Sequence, residues 1–306
     1  MNILVIGGTR LIGKHLVLSL LSNEHVVTIA TRGKTKDNYG DKVNRICFDR
    51  TDEKQIKEAF KNVQFDLVYD NLAFCSNDII RLLEHVKCTK YIVISSAAVY
   101  NKLHLDVKEE EFAAENTKLL YCERDDFPYS KSKQQVECAL IKNYAHIPSV
   151  RVRLPFVIGK DDDTNRLYFY VDHIIKQIPL HIDNFESQLA FVRASEAGKF
   201  LAYLADKDFC GAIHGANQGT VSIKQIAEYC KRKTGKEILL SDRGEPAPYN
   251  GIDEYSINID RATQLDFSFT PMDTWLYELL DEYILKSQLT CLLYTSDAAD
   301  DRISVD

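Results

Sequence analysis

Short apolar runs alternate with stretches of helical period over the first half of the chain. Asn2 to Ile6 is unbroken and apolar, as a strand covered on both faces must be. Further strands are predicted at 25–30, 43–48, 65–69, 91–95 and 149–154. Between them lie helix patterns at 16–21, 78–86 and 134–144. This alternation to about residue 159 predicts an α/β protein built on a Rossmann-type, doubly wound parallel sheet. After Lys160 the pattern loosens. A helix carrying Arg166, Tyr168, Tyr170 and His173 is expected, then Phe191-Val192-Arg193 leading into a helix over 194–205, and an amphipathic helix over 272–285. The expected division is a nucleotide-binding domain at 1–160 and a smaller, mixed α/β substrate-binding region at 161–288. Residues 289–306 do not continue the last amphipathic pattern. Their Cys-Leu-Leu-Tyr-Thr-Ser-Asp-Ala-Ala-Asp string looks like translated sequencing-adapter read-through, so they are read as a non-native tail, with the natural C-terminus missing.

The first strand runs into Gly7-Gly8-Thr9-Arg10-Leu11-Ile12-Gly13 and then the apolar helix. Gly7 and Gly8 permit a tight turn and close approach to a phosphate. Gly13 permits close helix–strand packing, and the helix N-terminus favours an anion. The order suits a dinucleotide, although Arg10 stands where a further loop glycine is expected. The second strand ends in Thr31-Arg32-Gly33-Lys34 instead of the acid that accepts from a ribose 2′-hydroxyl. Arg10 and Arg32 suit a 2′-phosphate, which predicts NADP over NAD. Otherwise Arg32 and Lys34 form a solvated turn. Asp49 ends the third strand, placed to accept from an adenine amino group. The fourth leads into Asn71, Leu72 and Ala73, whose backbone would follow the pyrophosphate and ribose. Either site also suits a helix cap.

Tyr129-Ser-Lys-Ser-Lys133 places a phenol and an ammonium four residues apart on one helical face, where the cation favours the ionised phenol. A phenol so placed serves as acid or base near neutrality. Ser96 follows a β-branched run and would deliver a hydroxyl to the sheet's rim, where open α/β sheets bind ligands.

Taken together, Gly-Gly-Thr-Arg-Leu-Ile-Gly, Asp-Asn-Leu-Ala-Phe, Ser-Ser-Ala-Ala-Val-Tyr, Tyr-Ser-Lys-Ser-Lys and Arg-Leu-Pro-Phe-Val-Ile-Gly at 153–159 resemble the extended short-chain dehydrogenase/reductase superfamily, the NAD-dependent epimerase/dehydratase family, over roughly 1–287. The resemblance implies Tyr129 as acid/base, Lys133 also holding the nicotinamide ribose, Ser96 hydrogen-bonding the reacting oxygen, and Pro155 with Phe156 packing near the nicotinamide. The glycine-loop arginine and Thr-Arg-Gly are similar to a branch that includes bacterial reductase-like proteins and chloroplast stem-loop binding proteins. Ala97 and Ala98 stand where the family's sugar 4,6-dehydratases carry an Asp-Glu pair, which disfavours dehydration. The expected activity is therefore an NAD(P)-dependent oxidoreductase or epimerase acting on a sugar, foremost a nucleotide sugar. The alternative is a non-catalytic dinucleotide-binding or RNA-binding scaffold of the same fold.

Composition changes this picture little. A chain of 306 residues with 45% hydrophobic positions can bury a full core. A net charge of −7 argues against extended nucleic-acid contact, since phosphate backbones are bound by basic patches. Eight cysteines without a C-x-x-C pair fit reduced thiols, and with no basic leader or apolar run near ~20 residues a cytoplasmic enzyme is expected. Arg166 and Arg193 are candidates for an anionic substrate, with internal ion pairs the alternative. Asp161-Asp162-Asp163 reads as a helix start, and no metal is expected. His173 reads as packed or exposed, and apolar helix stripes are compatible with a homodimer.

Overall fold

The computed structural model describes residues 1–300, with side chains through Thr290. The strands are β1 (Asn2–Ile6), β2 (Val26–Thr31), β3 (Val43–Cys47), β4 (Gln64–Asp70), β5 (Lys87–Ser96), β6 (Ser149–Leu154), β7 (Phe156–Ile158), β8 (Leu180–His181), β9 (Phe191–Arg193), β10 (Gly211–His214) and β11 (Glu245–Pro246). The helices are α1 (Leu11–Ser22), α2 (Glu53–Ala59), α3 (Ser76–Leu83), α4 (Tyr129–Asn143), α5 (Arg166–Lys176), α6 (Ala194–Tyr203), α7 (Ile223–Thr234), α8 (Asp260–Gln264) and α9 (Leu276–Asp300).

Seven strands form one parallel sheet in the order β10-β6-β5-β4-β1-β2-β3. Because successive strand residues face opposite sides, Ile3 and Val5 pack with Leu16, Leu20 and Phe200 on one face. Leu4 and Ile6 pack with Phe60, Ile79 and Val136 on the other. Both faces being covered by helices explains the unbroken apolar run from Ile3 to Ile6 in β1. The strand order reverses between β1 and β4. Ala30, Ile6, Asp70 and Val93 lie in one register row across that point, so the loops after β2, β1 and β4 leave the sheet at about one level, while β5 runs three residues further to Ser96.

The chain divides into two compact units, but not by a single cut near residue 160. Residues 191–216 and 257–269 belong with 1–157, because β10 extends the sheet beside β6 and α6 packs on α1. Among the described residues, the second unit comprises 158–190, 217–256 and 270–300. Within it β8 pairs with β11, and α5 packs against α7 and α9. The last helix also differs from expectation. It continues past Leu285 to Asp300, as a stretch without proline or glycine can. Side chains from Cys291 onward lie outside the described residues, and so do residues 301–306 of the segment read as a non-native tail. No described helix is long and apolar enough to cross a membrane.

α1 and α6 approach so closely that a Cβ added at Gly198 would lie 2.5 Å from His15 Cβ and 2.7 Å from its carbonyl carbon. Gly198→Ala is therefore expected to destabilise the protein by ~1–3 kcal/mol, as overpacked cores do. The change should appear as a lower urea midpoint with an unchanged m-value.

Candidate active site

The first turn is held from below. Gly7 adopts φ +81° and donates its N–H to Ala30 O at 3.1 Å. Its carbonyl accepts from Asn71 Nδ2 at 3.1 Å, and that of Gly8 from Tyr39 Oη at 2.6 Å. A Cβ at Gly13 would lie 2.0 Å from Gly7 O, so only glycine fits there. Leu11 takes φ +38° at the start of α1, a conformation that strains a residue with a side chain. Arg10 occupies the cap position of α1 and offers no side-chain acceptor to the helix's first N–H groups.

Gly7, Thr9, Arg10, Leu11, Ile12 and Gly13 line a cleft of about 490 Å³, together with Arg32, Asp49, Asn71 and Leu72. Ten predicted cofactor residues thus converge. Gly8 and Ala73 do not line it, being buried beneath the turn and the β4 loop. Asn71 Oδ1 is buried without a hydrogen-bond partner in the cleft floor. The orphaned acceptor, the glycine cradle and the uncapped helix start all fit a dinucleotide.

Arg32, Lys34, Thr35 and Thr51 line the same cleft as Asp49, and Arg10 Nε donates to Thr35 Oγ1 at 3.2 Å. Asp49 Oδ1 accepts from Thr51 N at 2.9 Å and Thr51 Oγ1 at 2.7 Å. Those bonds, with Arg32 and Lys34 nearby, hold its carboxyl below the usual range. The cap of α2 is Asp52, which accepts from Lys54 N and Gln55 N.

Under the β4 loop lies a buried ion-pair network. Asp70 is fully buried and accepts from Arg50 Nη1 at 2.8 Å, Arg50 Nη2 at 3.0 Å, Tyr91 Oη at 2.7 Å and Leu72 N at 2.9 Å. Burial alone would raise its carboxyl. Arg50 and the other donors outweigh that and hold it below the usual range. Asp78 in α3 accepts from Phe74 N at 2.8 Å and lies 3.2 Å from Arg50 Nε. Arg50 followed Asp49 in sequence without any pattern that marked it. Its partner lies 20 residues away, at the end of the next strand of the chain, β4.

Tyr129 opens α4, and Lys133 stands one turn on, buried at 3% exposure. Lys133 Nζ donates to Ala73 O and Ile94 O, both at 2.8 Å, and lies 4.9 Å over the Phe74 ring and 5.9 Å over the Tyr129 ring. Burial pulls the ammonium down to about 8, with Asp70 and Asp78 opposing the fall. The Tyr129 side chain is half exposed, and its ring meets Phe74 at 6.4 Å. Ser96 ends β5 two residues beyond Ile94, and its Oγ accepts from Ala98 N at 3.1 Å. That leaves the hydroxyl proton able to donate.

Elsewhere the placement departs from expectation. Pro155 is buried after β6 and does not line the cleft. Arg166, whose Nε donates to Thr164 Oγ1 at 3.2 Å, belongs to the second unit. Arg193 is exposed at the end of β9 in the first unit. Neither arginine lines the cleft. In the acidic stretch at 100–127, Glu109 is buried and accepts from His214 N, while buried Arg153 donates to Glu109 O and Phe112 O. Arg124, followed in the sequence by Asp125 and Asp126, also lines the cleft. Its proximity to Leu72, 52 residues away, leaves no local signal in the sequence.

Residues 3–78 match the model of the NAD dependent epimerase/dehydratase family. Over 173 residues the chain is 28% identical to the chloroplast stem-loop binding protein of 41 kDa b of Arabidopsis thaliana. That match spans 52% of this chain and less than half, 42%, of the relative. The fold is similar to that of a UDP-glucose 4-epimerase from Thermotoga maritima, solved with UDP-glucose, with a TM-score of 0.72 at 17% identity over 94% of this chain and 100% of that one. It is also similar to a UDP-glucuronic acid 4-epimerase from Bacillus cereus, solved with UDP-glucuronic acid and NAD, with a TM-score of 0.70 at 19% identity over 94% and 99%.

Asp70→Asn would leave Arg50 buried beside a neutral amide. A loss of ~3–5 kcal/mol in unfolding free energy is expected, as for other broken buried pairs, measurable by chemical denaturation.

Proposed function

We propose that this chain belongs to the NAD dependent epimerase/dehydratase family and is an NAD(P)-dependent oxidoreductase or epimerase of sugars, with nucleotide sugars the foremost class. The observation that carries the reading is Lys133. It lies on the same helix face as Tyr129, and its ammonium reaches the ends of the β4 loop and β5 beside the glycine-lined cleft.

A nicotinamide dinucleotide bound along Gly7–Gly13 and Asn71–Ala73 would supply hydride transfer. The chain's own residues would do the rest. Tyr129 gives or takes a proton at the substrate oxygen. The Lys133 ammonium lowers the cost of the phenolate. With two of its three hydrogens on carbonyls, it has one left for a ribose hydroxyl. Ser96 donates to the reacting oxygen and so stabilises the negative charge that develops there. Ala97 and Ala98 offer no acid to expel a hydroxyl, which favours epimerisation or reduction over dehydration. Arg32, Lys34 and Arg10 support a 2′-phosphate and hence NADP, and NAD, present in the Bacillus cereus epimerase structure, is the competing cofactor.

The likeness to a stem-loop binding protein favours a second reading, a dinucleotide-fold scaffold that binds RNA. A net charge of −7 weighs against it, since RNA affinity rests on basic surface. Salt-sensitive binding of a stem-loop RNA with no turnover on any carbonyl substrate would decide for the scaffold.

Tyr129→Phe should lower turnover by ~10²-fold or more while NADPH still binds, because only the proton transfer is removed. In a fluorescence titration, Arg32→Ala should lower the preference for NADPH over NADH by ~tenfold, the value of one charge-assisted contact. A ratio unchanged by the substitution would exclude a 2′-phosphate contact. Lys133 is protonated below about 8. Wild-type NADPH affinity should therefore be level at lower pH and fall as the pH rises past that value, and the fall should vanish in Lys133→Met.

A further inference from the structure

A second cavity, of about 410 Å³, opens beside Tyr129 and is lined by Phe74, Arg124, Asp125, Phe127, Tyr129 and Ser132. Arg124 lines both this cavity and the dinucleotide cleft. Its guanidinium lies 4.6 Å over the Phe74 ring. Nη2 donates to Leu72 O at 3.0 Å, and Nε to Asp78 Oδ2 at 3.2 Å. These contacts fix the plane of the fork. Its Nη1 has no hydrogen-bond partner among the described residues, and the side chain is 39% exposed.

Charge around the fork is unbalanced. Asp78, 1% exposed, lies 3.2 Å from both Arg50 and Arg124 and 4.0 Å from Arg81. Arg81 also pairs with Glu123, and Arg50 with Asp70. With Lys133, four cations meet three carboxylates, and Arg124 is the most exposed of the arginines. Asp125 also faces the cavity, but it is exposed and its charge is screened by water. An oriented guanidinium in a positive surround recognises carboxylate or phosphate.

We propose that this cavity is an anion-binding subsite for the substrate: Arg124 receives the carboxylate or phosphate of an acidic sugar, whose ring packs against Phe74, Phe127 and Tyr129. The assignment rests on Tyr129 being the acid/base of the proposed reaction. It makes Arg124 the residue that selects acidic over neutral sugars.

The test is isothermal titration calorimetry on NADPH-saturated protein with UDP-glucuronate against UDP-glucose, and glucose 6-phosphate against glucose. Wild type should bind at least one acidic member ~tenfold more tightly than its neutral partner, and the pair that shows the difference tells carboxylate from phosphate. Arg124→Leu should erase the difference. Arg124→Lys, keeping charge without the fork, should retain part of it and covers the case in which the leucine variant does not fold. Equal affinities in wild type, no binding of either acidic probe, or a preference that survives Arg124→Leu overturns the subsite. A prior titration of wild type with NADPH and NADH separates the two readings: if neither binds, the dinucleotide reading itself is wrong, and if only NADH binds, the calorimetry is run on the NADH-saturated protein.

Discussion

The site depends on one buried ammonium. Lys133 sits at 3% exposure and gives hydrogen bonds to carbonyls that belong to different segments, Ala73 after β4 and Ile94 in β5. Removing a cation from water costs several kcal/mol unless the surround compensates. Here two carbonyls, the Phe74 ring face and the fields of Asp70 and Asp78 compensate only partly, which is why the ammonium is held only to about 8. The same contacts that make burial tolerable tie α4 to the rim of the sheet and thereby set where Tyr129 stands.

Asp70 and Arg50 support that arrangement from the neighbouring side. Four donors converge on one buried carboxylate at the last residue of β4, so the loop that follows leaves the sheet in a defined direction. Asn71, the next residue, then bonds Gly7 O and props the first turn. The glycine cradle and the Lys133 centre are thus joined through three consecutive residues of one loop. A disturbance at Asp70 reaches both.

The substrate side has a different character. The chain returns to the first unit twice after residue 160, through 191–216 and 257–269. Phe156 and Phe191, from segments separated by part of the second unit, meet at 5.8 Å within the first. Arginines from distant segments also meet: Arg32 and Arg124 line one cleft although they stand on loops after β2 and before α4.

The alternation of apolar runs with helical periods was enough to predict the parallel sheet, and six of its seven strands fall where those runs lie. β10 was missed because Gly211 to His214 is too short and mixed to stand out from loop. The glycine turn was legible because φ > 0 at Gly7 and a 2.0 Å approach at Gly13 allow few residue types. Tyr129 and Lys133 were legible because four residues make one helical turn. The interleaved units, the Arg50–Asp70 pair and the place of Arg124 were not, since each depends on segments distant in the chain meeting after the sheet is assembled. Local spacing carries no record of such encounters. The sequence by itself therefore determined the chemistry on offer at the strand ends, and only the tertiary structure decided which charges surround it.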